Sequence, residues 1–269
     1  MMVNSVTRAA DILRNIGEGK NRITDISESL KLSKSTTHRL LKTLEKSGFV
    51  IQDPISRKYH LGYLILTLSS NPVIAHQDLI LWSHKEMMRL RDISKETVAL
   101  HIRIGTQRIC LSEIPSNQKI RYTTGAGSVG PIYAGSAGKI LLSIMDENES
   151  EKILGKIDLA PVGPRTITER GRLLEDIRKI RKKGYATSSG ETLEGAASIS
   201  IPISGYFCPA ALSIFGPKYR LGPRITEFLK DMRKAERIIS RLVDESPNAV
   251  QGSVAEKGPS RIPPVRRKN

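Results

Sequence analysis

The sequence contains few aromatic residues and almost no cysteine. Phe, Trp and Tyr make up 4% of the 269 residues, so a core must be built mainly from aliphatic side chains within the 39% hydrophobic fraction. The two cysteines, Cys110 and Cys208, lie far apart and in no CxxC motif. This usage argues against a disulfide framework and against a thiolate zinc site, and it predicts a protein of the reducing cytoplasm.

Long apolar runs are also missing. No stretch reaches the roughly 18 apolar residues that a membrane-spanning helix needs. The first residues, MMVNSVTRAADILRN, lack the apolar region of a signal peptide and are typical of an amphipathic helix. We therefore expect no membrane partner and a cytoplasmic, nucleoid-associated location.

Catalytic signatures are absent as well: there is no G-x-S-x-G, no HExxH and no His/Cys metal spacing. The GAGSVG stretch at residues 125–130 matches G-x-G-x-x-G, but Pro131 follows at once and the surroundings are not βαβ. Glu191 and Glu194 stand beside glycines, and we interpret them as solvated loop charges. The sequence thus predicts no enzyme, no metal and no cofactor.

Positive charge, in contrast, is abundant. The formal net charge is +16, and the isoelectric point is about 10.0. Residues 1–70 contain 11 Lys/Arg against 6 Asp/Glu, and residues 246–269 contain 5 against 1. Such a surplus favours a polyanionic partner, chiefly nucleic acid. The last segment also has four prolines and few apolar residues, so residues 246–269 are predicted to form a disordered basic tail.

Residues 1–62 show the pattern of a winged helix-turn-helix. An apolar helical face runs through SVTRAADILRNIGEG, and a short helix that Thr24 would cap follows in ITDISESLKLS. A third helix lies in SKSTTHRLLKTLEKSGFV, with Ser33 as its N-cap and Gly48 just after its end. A strand at 49–52, a turn and a strand at 58–62 then form a hairpin, the wing.

The third helix has an exposed face suited to DNA. Thr37, Leu40, Leu41 and Leu44 recur at helical spacing and face a core, and the other face has cations and hydroxyls with no carboxylate before Glu45. In helix-turn-helix folds the second helix of the pair lies in the major groove. A protein-interaction module of the same fold is the alternative, which the acid-poor face and the local charge disfavour.

The remaining sequence predicts an α+β domain with a mainly antiparallel sheet. A helical linker occupies residues 63–93, and the domain occupies residues 94–245. Alternating apolar residues predict a hairpin at 96–115, and IRYTT predicts a further strand at 120–124. Three more strand-like segments follow a helix that begins near Ser136, and the domain closes on a helix at 224–243.

At this point the sequence resembles the IclR family of transcription regulators. The resemblance rests on SVTRAADIL, SKSTTHRLLKTLEKSGFV, RKYHLG, GPIYAGSAGKILLS and GYATSSGETLEGAASISIPI, followed by PAALSIFGP, in order over about residues 3–243. It implies a winged helix-turn-helix and a GAF/profilin-like α+β sensor domain. It also implies dimers or dimers of dimers on palindromic double-stranded operator DNA. Family members repress or activate genes in response to small effectors, commonly carboxylic acids or aromatic metabolites.

The resemblance also implies site residues. Ser35, Thr36 and Arg39 would read bases, and His38 would contact a base or a phosphate or lie idle on the surface. Ser33, as the cap, and the cations Lys34, Lys42, Arg57 and Lys58 complete the predicted DNA-binding set, with the cations contacting phosphates. Residues expected to line the effector pocket are Tyr122, Ser136, Ala137, Ser188, Ser198, Ser213 and Phe215.

Two of these positions depart from the family. Position 188 is serine where some acid-sensing members have a carboxylate, and Phe215 replaces a smaller residue. The first turn of the helix at Ser136 has free N–H groups that suit a carboxylate. The predicted function is sequence-specific DNA binding modulated by an effector. The alternatives are a non-specific nucleoid-type DNA-binding protein and an enzyme acting on its ligand.

Overall fold

The computed structural model describes residues 4–246, which form two compact units that divide between Ala75 and His76. The predicted tail lies outside the described residues, apart from Ser246. Unit 1 contains α1 (Asn4–Gly17), α2 (Ile23–Ser29), α3 (Lys34–Lys46), β1 (Val50–Gln52), β2 (Tyr59–Leu61), α4 (Tyr63–Ser69) and α5 (Pro72–Ala75).

Unit 1 is a winged helix-turn-helix whose small core is aliphatic. Ile12, Ile26, Leu41 and Tyr59 are fully or almost fully buried, so all three helices and the wing contribute to one cluster. The prediction that Thr24 caps α2 is wrong: the helix begins at Ile23, and its N-cap Arg22 makes no side-chain capping bond.

Two glycines, one between α3 and the wing and one after the wing, lie in close contact. Gly48 ends α3 at a φ of +77°, where glycine is favoured. A Cβ atom on Gly62 would lie 2.2 Å from the Gly48 carbonyl oxygen. The Gly62 N–H donates to the Phe49 oxygen at 2.7 Å, so the residue before α4 is bonded to the segment between α3 and β1.

Unit 2 has a six-stranded antiparallel sheet in the order β5-β4-β3-β8-β7-β6. Its strands are β3 (Thr97–Ile104), β4 (Gln107–Ile114), β5 (Val129–Pro131), β6 (Ala186–Ser189), β7 (Ala196–Ile203) and β8 (Ala210–Pro217). Its helices are α6 (Gln77–Ser94), α7 (Gly135–Ser143), α8 (Glu147–Gly155), α9 (Arg170–Lys183), α10 (Lys218–Leu221) and α11 (Leu229–Asp244), with a 3-10 turn at Gly222–Arg224.

The two faces of this sheet differ in chemistry. One face is aliphatic and packs with residues of α6 and α11 in a single core cluster that includes Leu100, Ile214 and Ile239. Strand residues alternate between faces, so the other face receives Ser200, Ser213 and His101. Helix α7 lies on this polar face, in contact with β6, β7 and β8.

The structure confirms the predicted fold class and corrects several elements. Residues 120–124 are not a strand, and β5, which was not predicted, pairs with β4 instead. The backbone of 120–124 bonds to side chains: the Ile120 oxygen accepts from Arg220, and the Tyr122 oxygen accepts from Thr97. The predicted domain bounds 1–62, 63–93 and 94–245 stay predictions, although α6 packs on the sheet of unit 2.

Candidate DNA-binding surface and ligand cavity

The start of α3 is held by the capping residue that the sequence predicted. Ser33 has extended backbone, and its Oγ accepts from the Thr36 N–H at 3.1 Å. The Thr37 hydroxyl is buried and donates to the Ser33 carbonyl at 3.1 Å. The first turn is therefore bonded on two sides, which sets the direction in which the following side chains point.

Most of the predicted DNA-binding residues on α3 lie on its exposed face. Lys34, Ser35, His38 and Arg39 are exposed, as are Ser33 and Lys42. Thr36 is only partly exposed, and its hydroxyl shares a 2.9 Å hydrogen bond with Ser33 Oγ. This geometry makes Thr36 more a capping residue than a free base-reading group.

Lys42, which is predicted to contact a phosphate, forms an ion pair within its own helix. Its Nζ lies 2.7 Å from a Glu45 oxygen. The Glu45 carboxylate raises the pKa of Lys42, and the same hydrogen bond lowers the pKa of Glu45. Both side chains are partly exposed, so the pair contributes little to stability. A phosphate at Lys42 would have to displace or share this carboxylate.

The wing is short and tightly turned. Its strands pair Gln52 with Tyr59, and the Asp53 N–H donates to the Lys58 oxygen at 2.9 Å. Arg57 has a φ of +57°, in the left-handed region that non-glycine residues seldom adopt. Its guanidinium is exposed, and Lys58 is partly exposed. Hydrogen bonds from Ser56 and from backbone amides hold the pKa of Asp53 below its usual value.

Unit 2 encloses a cavity of about 90 Å³ between the polar face of the sheet, the first turn of α7 and two loops. All seven residues predicted for the effector pocket line it. Two serines line it from β7 and β8, together with Phe215 at the end of β8 and Tyr122 from the irregular segment before β5. The seven are Tyr122, Ser136, Ala137, Ser188, Ser198, Ser213 and Phe215.

A chain of hydroxyl groups crosses the floor of this cavity. Ser136 Oγ donates to Ser198 Oγ at 2.7 Å and shares a second 2.7 Å bond with Ser200. Ser200 is bonded to Ser213 at 2.7 Å, and Ser213 Oγ lies 3.3 Å from His101 Nδ1. Ser136 donates its proton to Ser198, so it accepts from Ser200, which in turn accepts from Ser213. Every bond of the chain then has one donor if His101 Nδ1 donates to Ser213.

His101 and Arg108 also line the cavity, from β3 and β4. Burial lowers the pKa of His101 to about 3, with the positive charge of Arg108 adding to the shift, so this imidazole is neutral near pH 7. Burial lowers the pKa of Arg108 as well, but a guanidinium stays protonated. Arg108 Nε is buried and has no hydrogen-bond partner.

The interpretation of Glu191 as a solvated loop charge is wrong. Glu191 is buried, and its carboxylate lies 2.6 Å from Lys139 Nζ and accepts the Gly135 N–H at 3.1 Å. Lys139 also pairs with Asp176 at 2.9 Å. The first amide of α7 therefore already has a carboxylate partner, and the following amides, at Ser136 and Ala137, border the cavity. Glu194 is exposed, as expected.

Sequence reasoning missed His101, Arg108 and Ser200 as residues of this region. The signal was present for His101, since the alternation in ETVALHIRIG places it opposite the apolar face. Arg108 was harder to find because its position depends on the pairing of β4 with β3, which shifts register between Leu100 and His101. Among residues 4–246, no group of His, Cys, Asp or Glu has a metal-binding arrangement. None of the helices in that range is long and apolar enough to cross a membrane.

A helix-turn-helix with an exposed cationic face, followed in the chain by an α+β unit with a polar cavity, defines the class of two-unit DNA-binding transcription regulators. Comparison with known proteins narrows the class. The IclR helix-turn-helix domain matches residues 5–54, and the C-terminal domain of the bacterial transcriptional regulator IclR matches residues 71–241. The second match spans more than half of the chain, and the chain belongs to the IclR family of transcription regulators.

Individual relatives agree with this assignment. The chain is 31% identical over 242 residues to the HTH-type transcriptional regulator KdgR of Escherichia coli K12, a match that covers 88% of this chain and 92% of KdgR. It is 32% identical over 205 residues to the transcriptional repressor AllR of the same organism, covering 76% and 75%. Both relatives are HTH-type transcriptional regulators, and each match covers most of the relative's length.

Solved structures agree as well. An IclR-family regulator from a Rhodococcus species superposes with a TM-score of 0.70 at 26% identity, covering 89% of this chain and 93% of that one. An IclR homologue from Microbacterium hydrocarbonoxydans, complexed with 4-hydroxybenzoate, has a TM-score of 0.58 at 22% identity, covering 90% and 100%. At that identity the second likeness concerns the fold alone.

Proposed function

We propose that this chain binds a specific operator through α3 and the wing, and that a small molecule in the unit 2 cavity modulates operator affinity. The observation that carries the proposal is the convergence of seven residues, distant in sequence, on one polar cavity. The cavity lies in a chain whose other unit has an exposed, cation-rich recognition helix. The protein would act on DNA in the cytoplasm.

The exposed residues of α3 divide into two roles under this proposal. Arg39 reads a base edge, because an arginine in the major groove makes a bidentate contact with guanine O6 and N7. Ser35 and His38 lie on the same exposed face and contact bases or phosphates beside it. Lys34, Arg57 and Lys58 contact phosphates, which positions the helix without specifying sequence.

Modulation would follow from a population shift. The chain acts as a dimer or a dimer of dimers on a palindromic operator, and the ligand binds one conformation of that assembly better than another. A change in the separation of two recognition helices away from the half-site spacing then lowers operator affinity. The name of AllR, a transcriptional repressor, favours repression over activation for this chain.

The DNA part is tested by binding to the chain's own upstream DNA across a salt series, with unrelated DNA as competitor. We expect the specific complex to survive the competitor. Arg39→Gln should reduce the ratio of the affinities for specific and unrelated DNA by about 10- to 100-fold. This corresponds to roughly 1–3 kcal/mol for one bidentate base contact.

Lys34→Gln is the matched control, since Lys34 is also exposed on α3 but is assigned to a phosphate. This variant should weaken binding to both DNAs equally and reduce the salt slope by about one. If wild-type protein binds both DNAs equally and binding collapses with salt, the chain is a non-specific DNA-binding protein and the proposal fails.

The ligand part needs two measurements on the same compounds: binding to the full chain and release of the operator. Compounds that bind in the cavity should change operator affinity, and the effect should disappear in a variant whose cavity is blocked, Ala137→Leu. Binding without any change in operator affinity would refute modulation. Turnover of a bound compound would instead support the enzyme alternative.

A further inference from the structure

We propose that Arg108 is the anion-binding residue of the unit 2 cavity and that it selects the ligand by charge. This inference rests on the proposed function, in which a small molecule occupies that cavity. It assigns the charge of the ligand and a residue of the binding site that the family resemblance did not supply.

Arg108 has no counter-ion among the described residues. Within residues 4–246 no carboxylate lies within ion-pair distance of its guanidinium, and its buried Nε has no hydrogen-bond partner. Its register partner on β3, Arg103, pairs with Glu149 at 3.1 Å. Arg108 is partly buried, and charges withdrawn from water in proteins are normally paired, so we infer that its partner comes from outside the chain.

The guanidinium of Arg108 packs against a glycine, Gly130. Gly130 on β5 pairs with Arg108 on β4. A Cβ atom on Gly130 would lie 3.0 Å from Arg108 Nη2 and 3.1 Å from its Cζ. A side chain at position 130 would therefore force the guanidinium to shift from its present position. This contact accounts for the last glycine of GAGSVG, a stretch with no nucleotide-binding context.

The charge of the cavity lining also favours an anionic ligand. Among the residues that line it, the titratable side chains are His101, Arg108 and Tyr122. His101 is neutral near pH 7, because burial lowers its pKa to about 3. Arg108 is the one lysine or arginine among the described residues that line the cavity, and it gives the lining a positive charge. A monoanion neutralises it, and a carboxylate matches the two parallel donors of a guanidinium.

The size of the cavity limits the rest of the ligand. Its volume of about 90 Å³ is several times the roughly 10–15 Å³ of probe-occupied volume that a single water needs. This space fits a carboxylate with a few further atoms, and the serine hydroxyls offer partners to a hydroxyl or oxo group beside the carboxylate. An aromatic acid would require the cavity to widen at Phe215, Tyr122 or Leu193.

The test is ligand binding to the full chain, measured by calorimetry at constant ionic strength. The probes are acetate, lactate, pyruvate, 4-hydroxybenzoate and inorganic phosphate, with lactamide as the neutral counterpart of lactate. We expect at least one of the three small acids to bind, lactate to bind at least tenfold more tightly than lactamide, and 4-hydroxybenzoate to bind more weakly than the small acids. Failure of every small acid, equal binding of lactate and lactamide, or preference for phosphate would each overturn the proposal.

Variants then locate the charge. Arg108→Gln should weaken binding of the best small acid at least tenfold and abolish discrimination between acid and amide, and Arg108→Lys should retain part of both. Gly130→Ala should weaken the same acid by displacing the guanidinium. Arg103→Gln is the matched control and should bind within twofold of wild type. Acid binding to Arg108→Gln within twofold of wild type would refute the role of Arg108.

Operator release, measured in parallel, separates this inference from the proposed function. If an acid binds through Arg108 and the operator complex is unchanged, the modulation proposal fails and the assignment of Arg108 stands. If Arg108→Gln still binds the acid and still releases DNA, the assignment of Arg108 fails and the proposed function stands. The acid-to-amide ratio is measured on wild-type protein, so it does not depend on how well any variant folds.

Discussion

Lys139 is the residue whose replacement tests most directly how the first turn of α7 is held in place. Its side chain is 3% exposed and lies between two carboxylates, Glu191 at 2.6 Å and Asp176 at 2.9 Å. Glu191 in turn accepts the N–H of Gly135, the first residue of α7. The substitution Lys139→Met keeps much of the side-chain volume and removes the positive charge.

The expected loss follows from what remains buried. Removing one partner of a buried ion pair costs about 3–5 kcal/mol, because the other charge is left without compensation. Asp176 is 33% exposed and can be rehydrated, and Glu191 keeps the Gly135 amide. We therefore expect the lower end, about 3 kcal/mol, which for a domain of 150–250 residues is roughly 6–12 °C in Tm.

The assay is unfolding in urea followed by fluorescence of Trp82. Trp82 is the single tryptophan of the sequence and packs against the main core of unit 2, so its signal reports on that unit. The double variant Lys139→Met/Glu191→Gln removes both charges and keeps an acceptor for Gly135. We expect it to recover more than half of the loss, because the two positions are coupled.

Lys179→Met is the matched control. Lys179 pairs with Glu175 at 2.7 Å, but both side chains are well exposed, so the control should unfold like wild type. If Lys139→Met destabilises unit 2 no more than Lys179→Met does, the buried ion pairs do not hold α7. Our account of how the first turn of α7 is positioned beside the cavity would then be refuted.

Two further predictions concern close packing and pH. Gly62→Ala places a Cβ atom 2.2 Å from the Gly48 oxygen, and we expect a loss of at least about 2 kcal/mol in unit 1. DNA binding should then fail at a temperature where Trp82 still reports a folded unit 2, whereas Gly17→Ala, with no atom within 4 Å of the added carbon, should not be destabilised. For His101, the folded pKa of about 3 lies below the ordinary value of about 6.5, so the unfolded chain binds a proton that the folded chain excludes. Stability from this residue is complete above about pH 6.5 and falls by up to about 1.4 kcal/mol per pH unit as the pH is lowered toward 3, a slope that His101→Gln should lack. If the free energies of unfolding of wild type and His101→Gln change with pH in parallel, the fold does not keep His101 unprotonated and the prediction is refuted.

Unit 1 was largely predictable because its signals are local. The cap at Ser33, the helical repeat of Leu41 and Leu44 and the left-handed glycine at 48 all act within one or two turns of the same helix. The prediction of the α2 cap was wrong, because it rested on the local sequence alone. Thr24 has a capping side chain, but packing of Ile26 in the core of unit 1 is compatible with a helix that begins at Ile23, without a side-chain cap.

Unit 2 was predictable in its face pattern and less so in its contacts. IRYTT has the composition of a strand, but Glu113 accepts from the amides of Thr124 and Gly125 at the end of that segment, which takes donors that a ladder would need. Glu191 stands in a glycine-rich loop that reads as solvated. Its burial depends on Lys139, which lies more than fifty residues earlier and on a different element.

The sequence by itself determined the family, the fold class and the exposed face of α3, because caps, turns and hydrophobic periodicity act over a few residues at a time. It also supplied, through the family resemblance, seven of the residues that line the cavity. Only the tertiary structure decided that Arg108 lacks a partner, that Gly130 leaves room for it and that His101 ends a chain of serine hydroxyls. Those properties depend on which strands pair and in what register, and on burial that no single segment controls.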